Sequence, residues 1–220
     1  MPPRTLKIDF VSDVACPWCA IGLHSLAEAA RRVAPGIELE WHFQPFELNP
    51  DMPAEGADTV AYLGAKYGID EAQIRVNQAR IRERGAAVGF AFGERARVWN
   101  TFNAHRLLTW AGEQGKQRQL KEALLQAYHG EGRNPGSREV LLDLAARVGL
   151  DAARAAQILD GDEYAAQVRA AEQQWQRAGI HAVPAIVVDR RHLIEGAQPP
   201  EVFEQALKQI AAEPAAPVPR

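Results

Sequence analysis

Cysteine is scarce in this sequence: its 220 residues contain two, Cys16 and Cys19, and no second pair stands elsewhere. A structural zinc usually takes four ligands from two such pairs. His24, His42, His105, His129, His181 and His192 are scattered without metal-binding spacing, so no metal site is expected. Long apolar runs are also missing. Lys7, Asp9 and Asp13 break the stretch that would have to act as a signal peptide, and nothing approaches the roughly 20 apolar residues of a membrane span. The chain therefore reads as cytoplasmic, where thiols are kept reduced and structural disulfides are rare. A large charge of one sign is absent too. The net charge of −3 gives no broad positive field, which makes nucleic acid and membrane surfaces poor partners. The signatures G-x-S-x-G, H-E-x-x-H and G-x-G-x-x-G do not occur, and Gly112-Glu-Gln-Gly-Lys116 lacks the spacing of a phosphate-binding loop. There is no internal repeat and no low-complexity tract.

What is present is an ordinary globular composition, 47% hydrophobic and 24% charged, enough apolar mass for one large domain or for a small domain carrying a second inside it. Leu6 to Val14 alternates apolar and polar residues and predicts a strand. Cys16 to Val33 then carries Ala20, Leu23, Leu26, Ala27 and Ala30 at helical spacing. Pro35-Gly36 stops that helix, and Ile37 to Phe46 alternates again into a second strand. From about Asp58 to Gly179 strand signals vanish. The pattern predicts helices over 59–67, 71–88, 98–113, 117–129, 137–148, 151–159 and 163–178. Strands return at Ala185–Val188 and His192–Glu195, and a helix closes from Pro200 to Ala211. The order βαβ, helices, ββα divides the chain into a discontinuous unit of residues 1–57 and 180–213, an inserted helical unit of residues 58–179 and a flexible tail of residues 214–220. Trp41, Trp99, Trp110 and Trp175 read as core.

Chemistry concentrates at Cys16-Pro-Trp-Cys19, where the first strand hands over to the first helix. Pro17 suits the first helical turn because it lacks an N–H that would be orphaned there. Cys16 then falls at the N-cap, beside free amide donors and the positive end of the helix dipole, which favour its thiolate. A low-pKa thiol attacks disulfides, and a second cysteine three residues on is placed to resolve the mixed disulfide. Cys16 is thus the expected nucleophile and the more exposed of the two thiols. Val183-Pro184 before the returning strand is the second feature, since proline removes a ladder donor and an X-Pro bond can be cis at modest cost.

The order of these elements resembles the thioredoxin fold in its DsbA form over nearly the whole chain. Val11-Ser-Asp-Val-Ala-Cys-Pro-Trp-Cys-Ala-Ile-Gly22, Asn100-Thr-Phe-Asn-Ala-His-Arg-Leu-Leu108 and Gly196-Ala-Gln198 resemble its FrnE-like, cytosolic branch. The resemblance implies an α/β thioredoxin-like fold with a large helical insertion. The function it implies is that of a protein-disulfide oxidoreductase or isomerase with Cys16 as nucleophile, Cys19 as resolving thiol and Pro184 as a facing cis-proline. Trp18 and the Val183 backbone would meet substrate, and Asn100, Asn103, His105 and Arg106 would lie near the groove. Asp13 reads equally as proton acceptor for Cys19 or as a tie for the turn. His181-Ala182 and Ala185 stand where this branch often has glycine and an aromatic residue, a departure that bears on substrate preference. The partners implied are protein or small-molecule thiols and disulfides, with glutathione suited as redox co-substrate, no bound cofactor, and a homodimer compatible with the sequence. Two rival readings share this architecture. One is a glutathione-dependent kappa-class-like transferase or 2-hydroxychromene-2-carboxylate isomerase, which would not need paired thiols. The other is a redox-switched client-binding protein.

Overall fold

The computed structural model describes residues 3–214, so most of the tail assigned to residues 214–220 lies outside the described residues. A mixed four-stranded sheet has the order β2-β1-β5-β6. β1 (Arg4–Ser12) pairs in parallel with β2 (Ile37–Pro45), from Arg4 opposite Ile37 to Ser12 opposite Pro45. On its other side β1 runs antiparallel to β5 (Ala185–Val188), with Ile8 opposite Val188 and Val11 opposite Ala185, and β5 continues into β6 (His192–Glu195). The two ends of the chain therefore meet in one sheet. The central position of β1 explains why it is buried on both faces from Ile8 onward, in place of a clean alternation.

Alternate residues of β1 and β5 serve two cores. Leu6, Ile8, Phe10, Ile186 and Val188 pack with α1 (Pro17–Val33) and α9 (Pro200–Ala212), which contribute Leu23, Leu26, Phe203 and Leu207. Val11 and Ala185 face the other way, onto Trp175 and Ile180. Complete burial of a Leu or Phe side chain contributes about 1.5–3 kcal/mol, so these few residues hold α1 firmly to the sheet.

Between β2 and β5 run α2 (Thr59–Tyr67), α3 (Glu71–Ala86), α4 (Phe102–Glu113), α5 (Gln117–Leu125), a π-helical turn (Gln126–Gly130), α6 (Arg138–Arg147), α7 (Ala152–Asp160) and α8 (Ala165–Arg177). Leu107, Leu120, Leu124, Tyr128, Leu141 and Ile158 form a separate core that also takes in Val14 and Ala15. The helical region thereby docks on the residues just ahead of Cys16.

The segment is not purely helical. β3 (Ala57–Asp58) and β4 (Arg97–Val98) pair antiparallel, and the helix predicted from Val98 begins only at Phe102. Two-residue strands are too short to show alternation, and their pairing depends on chain segments far apart. The helix predicted over 117–129 gives way to the π turn at Gln126, closed by the Glu131 N–H on the Gln126 carbonyl at 3.1 Å. Tyr128 and His129, adjacent in sequence, are both buried there.

Trp110 and Trp175 are buried as expected, whereas Trp41 and Trp99 are half-buried. Trp41 stacks on Phe43 and carries the Arg118 guanidinium 4.6 Å above its ring. Among the described residues no helix is long and apolar enough to cross a membrane.

Candidate active site

Cys16 is the N-cap of α1, with extended backbone (φ −89°, ψ 114°), and Pro17 follows in the first turn. The Cys19 N–H donates to the Cys16 carbonyl at 3.1 Å, so the two cysteines bracket the first turn of the same helix end. Both thiols are free. Neither is an exposed thiol: Cys16 is 3% accessible and Cys19 0%. Cys16 is covered by segments distant in sequence: its sulfur meets the Val183 carbonyl, and α2 and α3 of the inserted region together with residues 181–183 enclose with it a cavity of about 590 Å³.

The two thiols are driven in opposite directions. A hydrogen bond from the Cys19 thiol is the largest influence on Cys16 and lowers its pKa. Burial opposes this, the N–H groups of Cys19 and Trp18 add to the lowering, and the charge of Asp13 resists it; the outcome lies below the ordinary thiol value. Burial dominates at Cys19, and its hydrogen bond to Cys16 together with repulsion from the Cys16 thiolate push it well above the ordinary value, against the pull of Lys121. Of the two, Cys16 is the thiol whose ionised form its surroundings favour.

The Cys16 Sγ lies 3.6 Å from the Val183 carbonyl oxygen, and the Val183–Pro184 peptide is cis, as is Ala34–Pro35 in the turn before β2. Trp18 and Val183 line the cavity with Cys16, whereas Pro184 lies buried behind it. Gly22 makes this approach possible. A Cβ there would stand 3.0 Å from the Pro184 ring and 3.6 Å from Ala197. Gly196, at φ +77°, donates its N–H to the Pro184 carbonyl at 2.9 Å. The Gly196-Ala-Gln198 stretch is thus the clamp on the Pro184 loop.

Asp13 is a tie. Its Oδ1 accepts from the Ala15 N–H at 3.1 Å, the Thr101 hydroxyl at 2.7 Å and the His105 ring at 3.2 Å, and its Oδ2 from the Leu48 N–H at 2.7 Å. Burial raises the Asp13 carboxyl, but His105, through hydrogen bond and charge, and the N–H groups of Leu48 and Ala15 outweigh it and hold the group ionised. A carboxylate so fully engaged is a poor acceptor for the Cys19 proton.

Asn100, Asn103, His105 and Arg106 do not line the cavity. Asn103 Oδ1 accepts from Arg106 at 2.9 Å, and Arg106 also donates to the carbonyls of Ile158, Gly161 and Glu163, holding the end of α7 and the connection to α8 against α4. Asn100 Oδ1 accepts from the Phe102 N–H at 2.8 Å. This motif positions the insertion and, through Thr101 and His105, the turn before Cys16.

Sequence reading missed Lys121, Lys66, Arg80 and Arg95. Lys121 on α5 is 1% accessible. Burial lowers its pKa, and the charges of Cys19, Asp13 and Cys16 act against that. A lysine among leucines on an amphipathic helix gives no local sign of being buried. Among the described residues no group of three or more His, Cys, Asp or Glu side chains is arranged to hold a metal ion.

A solved structure of a probable DsbA oxidoreductase from Streptomyces coelicolor superposes with TM-score 0.90 at 33% identity, over 98% of this chain and 93% of that one. The uncharacterized protein YwbO of Bacillus subtilis is 29% identical over 206 residues, 92% of this chain and 96% of its own. The cytosolic disulfide reductase DsbM from Pseudomonas aeruginosa, solved with GSH, shares the fold with TM-score 0.65 at 21% identity, over 94% of this chain and 98% of that one. Residues 7–208 match the DSBA-like thioredoxin domain. With its paired thiols at the head of α1 and its ends joined in one sheet, the chain belongs to the DSBA-like thioredoxin domain family.

Proposed function

We propose that the protein is a thiol-disulfide oxidoreductase in which Cys16 attacks and Cys19 resolves. The Cys16 thiolate displaces one sulfur of a substrate disulfide, forming a mixed disulfide and releasing one thiolate. Cys19 then gives up its proton and attacks the Cys16 sulfur, releasing the second thiol and closing the Cys16–Cys19 disulfide. Two electrons pass from the dithiol to the substrate, and a thiol or dithiol reductant restores the reduced enzyme. The observation that carries this reading is the opposite displacement of two thiols at one helix end, with the lowered one facing the cavity. Neither a metal nor an organic cofactor is needed for exchange.

Cytoplasmic location and glutathione as redox co-substrate belong to the same reading, supported by the Pseudomonas fold neighbour, a cytosolic reductase solved with GSH. A glutathione-dependent transferase or isomerase needs one activated group at this position and leaves Cys19 without a task. The cis Val183–Pro184 peptide and the Val183 carbonyl beside Cys16 support a role for this loop in holding substrate against the sulfur.

The test is exposure of Cys16→Ser and Cys19→Ser proteins to oxidised glutathione, followed by mass spectrometry. The Cys19→Ser protein should accumulate one glutathione adduct and the Cys16→Ser protein none. Faster adduct formation in the Cys16→Ser protein would reverse the assignment, and no adduct in either would remove the dithiol cycle. Titration of the wild-type couple in glutathione buffers then sets the direction of flow.

A further inference from the structure

The wall of the Cys16 cavity is electrostatically one-sided. Lys66 on α2, Arg80 on α3 and Arg95 ahead of β4 all line it, and no carboxylate does, in a protein whose net charge is −3. Among the described residues none of the three takes part in an ion pair.

Two of these cations are held in place by neutral groups. Lys66 Nζ donates to the Leu48 carbonyl at 2.9 Å and to Asn49 Oδ1 at 2.7 Å, and the Tyr62 hydroxyl donates to the same Asn49 oxygen at 2.8 Å. Arg95 donates to the Ala15 carbonyl at 3.1 Å, and its guanidinium sits 5.4 Å from the Tyr128 ring centre. That places a fixed cation against the residue preceding the nucleophile. Asp13, whose charge reaches Lys66, spends its oxygens on Ala15, Thr101, His105 and Leu48. Apart from the Cys16 thiolate itself, no anion of the wall meets these three cations, and their charge is left for whatever enters.

The neighbouring cavity, of about 500 Å³, shows the contrast. It shares Arg95, but Glu71 and Glu94 stand in its wall, and Glu71 already holds Arg75. Arg75 and Arg82 stand there beside those carboxylates, so its wall is of mixed sign, and of the two cavities the one free of carboxylates is that on which Cys16 opens.

We infer that the Cys16 cavity selects small disulfides that carry carboxylates, bound by Lys66, Arg80 and Arg95 while Cys16 attacks the sulfur. About 590 Å³ falls within the ~300–1,000 Å³ of small-molecule sites. Guanidinium groups grip carboxylates in two-point contacts that an ammonium ion cannot copy. A wall of one sign also concentrates ions of the opposite sign, by about 10-fold upward in rate. The selection rests on the dithiol reading above and narrows it to a substrate class.

The experiment measures kcat/KM of the reduced wild-type protein for glutathione disulfide, hydroxyethyl disulfide and cystamine, which are anionic, neutral and cationic. Each rate is divided by that of the same disulfide with free dithiothreitol, which removes intrinsic reactivity. The anionic compound should exceed the cationic one by about 10-fold or more at low salt, and the ratio should shrink as salt screens the wall. Arg80→Ala and Lys66→Gln should each lower the anionic-to-neutral ratio. Turnover of all three disulfides without charge preference, or with cystamine preferred, overturns the selection and leaves the dithiol cycle standing. Turnover of none overturns the cycle and the selection with it.

Discussion

The sulfur of Cys16 lies 3.6 Å from the carbonyl oxygen of Val183, although 167 residues separate the two in sequence. The contact exists because β1 and β5 are direct sheet neighbours, which brings the turn after β1 and the loop before β5 to the same end of the sheet. A substrate sulfur bound to Cys16 is consequently placed against the Val183 backbone, and the chemistry below follows from what surrounds that point.

Alkylation should separate the two thiols. Cys16 in a Cys19→Ala protein keeps the helix-end N–H groups but loses the Cys19 side-chain hydrogen bond, the largest lowering influence on it. Its iodoacetamide rate should therefore titrate at a higher pH than in the wild type. Cys19 in the Cys16→Ser protein stays buried and should remain unreactive up to about pH 9. Equal rates at pH 7 in the two variants would contradict the asymmetry.

Lys121 should assist resolution. Its charge lowers the Cys19 thiol against burial, so Lys121→Met should raise Cys19 further, and a one-unit rise cuts its thiolate fraction about tenfold. The mixed disulfide with glutathione should persist correspondingly longer in quenched-flow mass spectrometry. An unchanged lifetime would remove Lys121 from the mechanism.

Gly22 should resist enlargement. Gly22→Val puts branched methyl groups toward the Pro184 ring, where a Cβ alone stands 3.0 Å away. Overpacking of this kind costs roughly 1–3 kcal/mol, readable by urea unfolding, and turnover should fall with the displacement of Val183. Full stability and turnover in Gly22→Val would show that the loop yields freely.

His129 should make the fold acid-sensitive. Burial first, then repulsion from Arg95, lowers its pKa from 6.5 to about 3, while its ring nitrogen sits 2.8 Å from the Val14 carbonyl. The unfolded chain takes up the proton below pH 6.5 and the folded chain does not until about pH 3, so this contribution to stability is present above 6.5 and lost as pH falls between those values. From pH 7.5 to 5 the loss should be roughly 2 kcal/mol. The Asp13 carboxyl, lowered from 3.8, loses its contribution only at more acid pH. His129→Gln should flatten the slope in urea titrations, and an equal slope in both proteins would assign the effect elsewhere.

Several features were legible in the sequence because their causes are local. Alternation in β1 and β2, helical spacing after Cys16, proline at the first helical turn and Pro-Gly at the end of α1 each act within a few residues, so the βαβ…ββα order and the nucleophile's place at a helix end could be read directly. The Asn100-to-Leu108 motif was legible as a motif but not in its task, since Thr101, His105 and Arg106 find their partners in Asp13, Ile158, Gly161 and Glu163. Tertiary structure alone decided that Cys16 is roofed, that Lys121 is buried and that Lys66, Arg80 and Arg95 share one wall. Those outcomes depend on which helix of the insertion lies over the head of α1. Packing between distant segments settles that, whereas periodicity along the chain reports only which face of each helix is apolar.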